Sequence, residues 1–193
     1  AKKTARNSTL GWVVNLVIIP GLIVLALILP PISLPDRILN AGYASLGRFG
    51  GETKLKDGSS LVVYPEGMPK TTVMLKVGIV AAADFADKKA GESMTKALSL
   101  FPPSLELKSP VYLIDLKGDR WPREALFSAP IPNDALPYTT LDFYAWNGNV
   151  WYYLPGRFFE DDDIGEAQLS ALPQAIAIVQ TRSAPPIVSA DMS

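Results

Sequence analysis

The sequence predicts an all-β fold, an antiparallel β-sandwich of about seven to nine short strands, standing behind one transmembrane α-helix and a short amphipathic segment. Three observations predict it. No charged residue occurs between Arg6 and Asp36. From about residue 48 onward, charges return and apolar residues fall into brief runs separated by Gly and Pro. Near residue 147, an Asn-Gly pair lies between two aromatic, β-branched runs.

The run from Leu10 to Leu29 is almost continuously apolar. At about 1.5 Å per residue, twenty helical residues reach about 30 Å, the thickness of a hydrocarbon core. Lys2, Lys3 and Arg6 precede it as the leading region of a cleaved signal peptide would. A signal peptide, however, carries an apolar run of only about 7 to 15 residues before small residues at a cleavage site. Here the run ends in Leu29-Pro-Pro-Ile-Ser-Leu-Pro35, so the expectation is a span over 10–32. Positive side chains stay on the cytoplasmic side, which predicts a cytoplasmic N-terminus over 1–9 and an outside remainder, periplasmic or extracellular. Asn7-Ser8-Thr9, formally a glycosylation triplet, then lies on the wrong side to be used. Trp12 and Tyr43 suit interfacial anchors at the two ends.

Within the span, Asn15 and Pro20-Gly21 are the exceptions. Proline removes a helical hydrogen bond and kinks the helix, a change tolerated where neighbours satisfy the freed carbonyl. An Asn amide in hydrocarbon needs a partner, and one on another helix is a known means of association. Asn15, Pro20 and Gly21 are thus candidate membrane-partner contacts, the alternative for Asn15 being proximity to the headgroups.

The juxtamembrane segment, 33–48, places Leu34, Ile38, Leu39, Tyr43 and Leu46 at helical intervals, with Ser33 as a cap. It predicts an amphipathic helix, lying on the membrane or packed on the domain.

Residues 49–181 form the predicted extracytoplasmic sandwich. Strands are expected at Ser60–Tyr64, Thr72–Val80, Val111–Asp115, Ala125–Ile131, Thr140–Trp146, Val150–Leu154 and Ala175–Gln180. Asn147-Gly148 predicts a type I′ hairpin turn, because both residues tolerate positive φ. Period two puts Leu141, Phe143 and Ala145 on one face and Tyr144 and Trp146 on the other. Trp146, Trp151 and Tyr153, with Tyr152, read either as structural packing or as a ligand or partner face such as a sugar platform. The segment 81–103 fits no strand and is expected to leave one end of the sandwich as an excursion, with Gly91 interrupting any helix in it.

Several of these segments together resemble a known family. Gly50-Gly51, Asp57-Gly-Ser-Ser-Leu-Val-Val-Tyr-Pro-Glu-Gly67, Ser109-Pro110-Val111, Ala129-Pro-Ile-Pro132 and Trp146-Asn-Gly-Asn-Val-Trp151 resemble a bacterial zona-occludens/UNC-five domain over about 50–180. Met68 stands where that family has alanine, and Ala125-Leu-Phe-Ser precedes a degenerate form of its later proline strand. The resemblance implies an antiparallel β-sandwich used for interaction or support, with no cofactor and no enzyme activity.

Chemistry is limited by what the chain lacks. Without histidine or cysteine there is no imidazole base, no thiolate ligand and no disulfide. Asp161, Asp162 and Asp163, between Glu160 and Glu166, are the one cluster able to attract a hard cation, although they lack the spacing of a calcium loop and read also as a solvated turn. A net charge of −1 offers no basic field for nucleic acid. Residues 182–193 read as a Pro/Ser-rich tail or linker.

Two function classes follow. One is a non-catalytic single-pass subunit of a larger membrane assembly, with other membrane subunits and the lipid bilayer as partners. The other is an envelope-anchored binding or display module for a cell-wall or carbohydrate ligand, or a link to a further C-terminal domain.

Overall fold

The computed structural model describes residues 14–28, 40–68, 72–118 and 122–181. The chain divides into two units, Ala1–Gly42 and Tyr43–Ser193.

In the first unit a π-helical turn of five residues, Val14–Ile18, runs into an α-helix of ten, Ile19–Ile28. Pro20 explains the change of winding. Its ring crowds the carbonyl four residues earlier and it has no N–H to offer, so the preceding turn widens. Among the described residues no helix is long and apolar enough to cross a membrane. At about 1.5 Å per residue, these two segments together rise about 22 Å, short of a hydrocarbon core. The helix is nonetheless uncharged on every side, and Leu16, Val17, Ile18, Ile19, Leu22, Ile23, Val24, Leu25 and Ile28 are all exposed. Residues 10–13 and 29–32 of the expected span, like 33–39 of the expected amphipathic segment, lie outside the described residues.

The second unit is a β-sandwich with antiparallel pairing throughout. One sheet runs in the order β1 (Ala44–Leu46), β4 (Val73–Val80), β6 (Val111–Lys117), β12 (Ala175–Thr181), β8 (Leu141–Trp146) and β9 (Trp151–Leu154). A seventh strand, β5 (Leu105–Leu107), pairs with the far end of β12. The facing sheet has five strands in the order β10 (Gly156–Phe159), β11 (Ile164–Leu169), β7 (Ala125–Pro130), β3 (Ser60–Val63) and β2 (Gly51–Lys54).

All seven expected strands form, to within a residue or two at their ends. The five that the sequence does not announce are β1, β2, β5, β10 and β11, which raise the described total to twelve. Ala44–Leu46 corrects the helical expectation at the C-terminal end of 33–48. Leu46 is buried in the sandwich core and its strand pairs with Val73–Leu75, so the domain begins ahead of residue 49. Ladder hydrogen bonds and burial outweigh a 3.6-residue spacing that covers only a few side chains.

Two cores result from the period-two pattern. Leu61, Val63, Leu75, Tyr112, Phe127, Phe143, Ile176 and Ile178 belong to the cluster shared by the two sheets. Ala175, Ala177 and Val179, which alternate with those isoleucines along β12, belong to a second cluster with Phe85, Met94, Ala97, Trp146 and Trp151. The strand β12 is therefore buried on both faces, which is why it reads as an unbroken apolar run. The second cluster is covered by two short helices, Ala82–Ala86 and Glu92–Ser99, with Gly91 at φ +91° between them. The 81–103 segment thus caps a sheet face instead of projecting from one end.

The sandwich is closed at both sides by a chain that crosses from one sheet to the other. On one side β1 passes to β2 through Gly47–Gly50, where a Cβ on Gly50 would stand 2.0 Å from the Val63 carbonyl oxygen. On the other side β9 passes to β10 through Pro155 and Gly156. There the Phe143 and Phe158 rings stack at 4.9 Å and an interplanar angle of 6°. A Cβ on Gly156 would meet Phe143 at 2.4 Å, and one on Gly165 would meet Phe158 at 2.6 Å.

Candidate functional site

The hairpin aromatics do not form a surface. Trp146 is fully buried and Trp151 is 8% exposed, and their rings lie 5.7 Å apart beneath the two helices. Trp151 is held edge-on by Phe101 at 5.4 Å and Phe85 at 6.3 Å, and its indole Nε1 donates a 2.7 Å hydrogen bond to the Ala97 carbonyl. This corrects the platform reading. Once a helical layer covers the outward face of β8 and β9, large aromatics there become core. Tyr153 alone of the three candidates is open, at 52%, with its ring against Tyr144. The turn also differs from the type I′ expectation. Asn147 N–H bonds to the Val150 carbonyl, and of the turn residues only Gly148 has positive φ, as in a II′ turn centred one residue later. The Asn147 side chain causes the shift by accepting from the Asn149 and Val150 N–H groups.

Asp161, Asp162 and Asp163 are exposed in the β10–β11 turn, where Asp163 takes φ +55° and the Asp162 and Asp163 N–H groups bond back to Phe159 and Glu160. Among the described residues no group of three carboxylates is arranged to hold a metal. Asn15 lies in the π-helical turn, and Pro20 and Gly21 lie in the first turn of the α-helix. Among the described residues, no heavy atom beyond Gly21's own helix backbone and chain neighbours comes within 4 Å of where its Cβ would stand.

Two recesses were not legible in the sequence. The first, of about 320 Å³, lies where the Glu92–Ser99 helix leaves β6 uncovered. Its apolar lining includes Leu113, Leu116, Leu172 and Met94, and its polar groups include Ser93, Asp115 and Gln174. Asp115 accepts a hydrogen bond from the Tyr43 phenol, which raises the tyrosine's pKa, and Lys76 and Lys117 stand over the Tyr43 ring at 5.7 and 4.0 Å. That acid is internally committed.

The second recess, of about 380 Å³, lies on the open face of the five-stranded sheet, lined by Leu126, Pro155, Arg157, Phe159, Glu166 and Gln168. Ladder register places Arg157 opposite Glu166, Glu166 opposite Ser128, Ser128 opposite Ser60, and Ser60 opposite Lys54. Since side chains two apart share a face, this is one polar row crossing all five strands. It has apolar flanks. Phe159, Ile164 and Pro130 form the next row on one side, and on the other Leu126 and Val62 stand between Gln168 and Glu52. Such a row is invisible in sequence because its five members come from five separated segments. No family model and no curated protein matches this chain.

Proposed function

We propose that this chain is a membrane-anchored, non-catalytic subunit of a larger membrane assembly, with its N-terminus cytoplasmic and its β-sandwich on the outer side for protein contact or support. The observation that carries this reading is the Val14–Ile28 segment, uncharged throughout and apolar apart from Asn15, with its described apolar side chains exposed. At about 25 cal/mol per Å², leaving so much apolar surface in water is unfavourable, so lipid or partner helices are its natural surroundings. In sequence, residues 10–13 and 29–32 on either side of it carry no charge. The covered aromatics and the lack of histidine and cysteine support a role in contact more than in catalysis.

The cysteine-free chain makes the topology directly testable. In intact cells or spheroplasts, an impermeant maleimide should label Glu160→Cys, and Lys3→Cys only after permeabilisation. The reverse pattern, or release of the chain by alkaline carbonate, overturns the anchor. In mild detergent the chain should co-migrate with fixed partners at constant ratio, and monomeric migration overturns the subunit role.

A second reading, an envelope-anchored display module, is favoured by the open polar row on the five-stranded sheet.

A further inference from the structure

We infer that the open face of the five-stranded sheet is a binding groove for a linear, extended, uncharged polysaccharide laid across the strands. The inference deepens the display reading and rests on it for its biological setting, but the binding itself is independent of the anchor.

The spacing carries the argument. Neighbouring strands are about 4.8 Å apart, so Arg157, Glu166, Ser128, Ser60 and Lys54 recur at close to the length of one pyranose unit along a line of about 19 Å. Four of the five have uncommitted polar groups. Among the described residues, Arg157 has no carboxylate within ion-pair distance even though Glu166 is its direct cross-strand neighbour. Among the described residues the side chains of Glu166, Ser128 and Ser60 likewise make no hydrogen bond, although Ser128, in the central strand, is only 8% exposed and offers little more than its hydroxyl. Cross-strand opposite charges ordinarily stabilise a sheet by pairing. Here the pair straddles a recess.

The chemistry suits hydroxyls. A guanidinium supplies a planar fork of donors, a carboxylate accepts from two neighbouring hydroxyls, and serine hydroxyls both donate and accept. Gln168, lining the same recess, adds an amide with both functions. The apolar flanks, with Phe159 partly exposed on one side and Leu126 on the other, meet the C–H faces of sugar rings. Opposite charges at two adjacent places leave no net field, which favours a neutral polymer over an anionic one. Covering Arg157 and Glu166 is costly unless both are hydrogen-bonded, and sugar hydroxyls, which donate and accept, can satisfy both without carrying charge. The recess has the size of a small-ligand cleft but continues into an open row, as an elongated ligand requires.

The test uses the full chain in mild detergent, co-sedimented with insoluble β-linked glucan, xylan and chitin. Retention on at least one polymer is expected, undiminished at 0.5 M salt and reduced at least fivefold in Arg157→Ala and in Glu166→Ala. Glu166→Gln, which keeps hydrogen-bonding atoms at that place, should retain most of the binding. Thermal unfolding of each variant at the wild-type midpoint checks that the sheet is intact. Failure to sediment with any of the three polymers overturns the inference, as does retention that both alanine variants preserve. Salt-sensitive retention, which would mark an acidic polymer or peptide, and self-association through this face, seen as dimers that Arg157→Ala abolishes, also overturn it. Topology labelling reads the anchor separately, so either result can fail alone.

Discussion

The Tyr112 phenol, fully within the sandwich on β6, donates a 3.0 Å hydrogen bond to Asp57 Oδ2 in the β2–β3 turn of the opposite sheet. The other carboxylate oxygen of Asp57 accepts from the Ser59 N–H and hydroxyl, at 3.1 and 2.6 Å. One acid thus shapes a turn in one sheet and holds that turn against a strand of the other. Tyr112→Phe removes the tie and leaves the packing of its ring against Phe127 at 5.0 Å. A hydrogen bond to a charged acceptor contributes about 1.5–3 kcal/mol. Denaturant unfolding of Tyr112→Phe should show a loss in that range, and a loss under about 0.5 kcal/mol would mean that water replaces the phenol.

The same residue predicts behaviour in alkali. Burial first, then the Asp57 charge and hydrogen bond, raise the Tyr112 pKa well above the ordinary tyrosine value. The folded state therefore keeps its phenolic proton where the unfolded chain has lost it. Stability from this group is complete below about pH 10 and falls as pH rises from there toward the folded pKa, by up to about 1.4 kcal/mol per pH unit. Tyr112→Phe should flatten that fall. Chemical unfolding between pH 9 and 12 measures it, and equal slopes in the two proteins would refute the assignment.

At the β9–β10 corner, Gly156 lies so close to Phe143 that a methyl group would overlap the ring and approach the Glu166 carbonyl at 2.8 Å. The ring cannot yield, being stacked on Phe158. Gly156→Ala should cost about 2–3 kcal/mol through overpacking. Gly91→Ala is the contrast: it has open space but φ +91°, so its cost is backbone strain of about 1 kcal/mol. Thermal unfolding of the two variants should rank Gly156→Ala lower.

What was legible in the sequence follows from which signals are local. Phe143 and Trp146 sit on opposite faces of β8 as period two requires, and each goes to its own core. β12 and β4 announce themselves by apolar runs, whereas Gly51-Glu-Thr-Lys54 and Gly156-Arg-Phe-Phe159 are edge strands whose polar residues look like loop. Edges are written that way to discourage pairing with other chains. Whether Trp151 was core or surface depended on a helix more than fifty residues earlier in the chain, Glu92–Ser99, which no local pattern reveals. The polar row from Arg157 to Lys54 was hidden for the same reason, since register between distant strands decides it.

Between β5 and β6 the ladder is interrupted, and Ser109 repairs it. Pro110 has no N–H to give to β12. The buried Ser109 hydroxyl accepts a 2.8 Å bond from the Ile178 N–H and donates a 2.7 Å bond to the Pro110 carbonyl, while the Lys108 and Ser109 N–H groups share the Ile178 carbonyl. Ser109→Ala leaves the Ile178 N–H without a partner inside the core, a loss of about 1–3 kcal/mol. Hydrogen exchange at Ile178 should accelerate in Ser109→Ala, and unchanged protection there would show that the repair is dispensable.

The helical layer over the second core is fastened at its C-terminal end by a side chain from the sheet. Ala97 lies in the last turn of Glu92–Ser99, where carbonyls lack an intrahelical partner, and the Trp151 indole supplies one. Lys96, on the same turn, donates to the Gly148 carbonyl at 2.8 Å and to Asn149 Oδ1 at 3.0 Å, so the hairpin tip grips the helix from the other side. The two attachments differ in kind. The indole bond is buried and the lysine bonds are exposed, so the first should dominate, since water competes for the second. Trp151→Phe keeps most of the ring contacts with Phe85 and Phe101 but leaves the Ala97 carbonyl buried and unpaired. It should lower stability by about 1–3 kcal/mol and raise tryptic cleavage after Lys88 and Lys89, the residues joining the two helices, severalfold. Lys96→Met should change cleavage at those sites less than twofold. If Lys96→Met opens the layer and Trp151→Phe does not, the hairpin tip is the clasp and the indole only fills space.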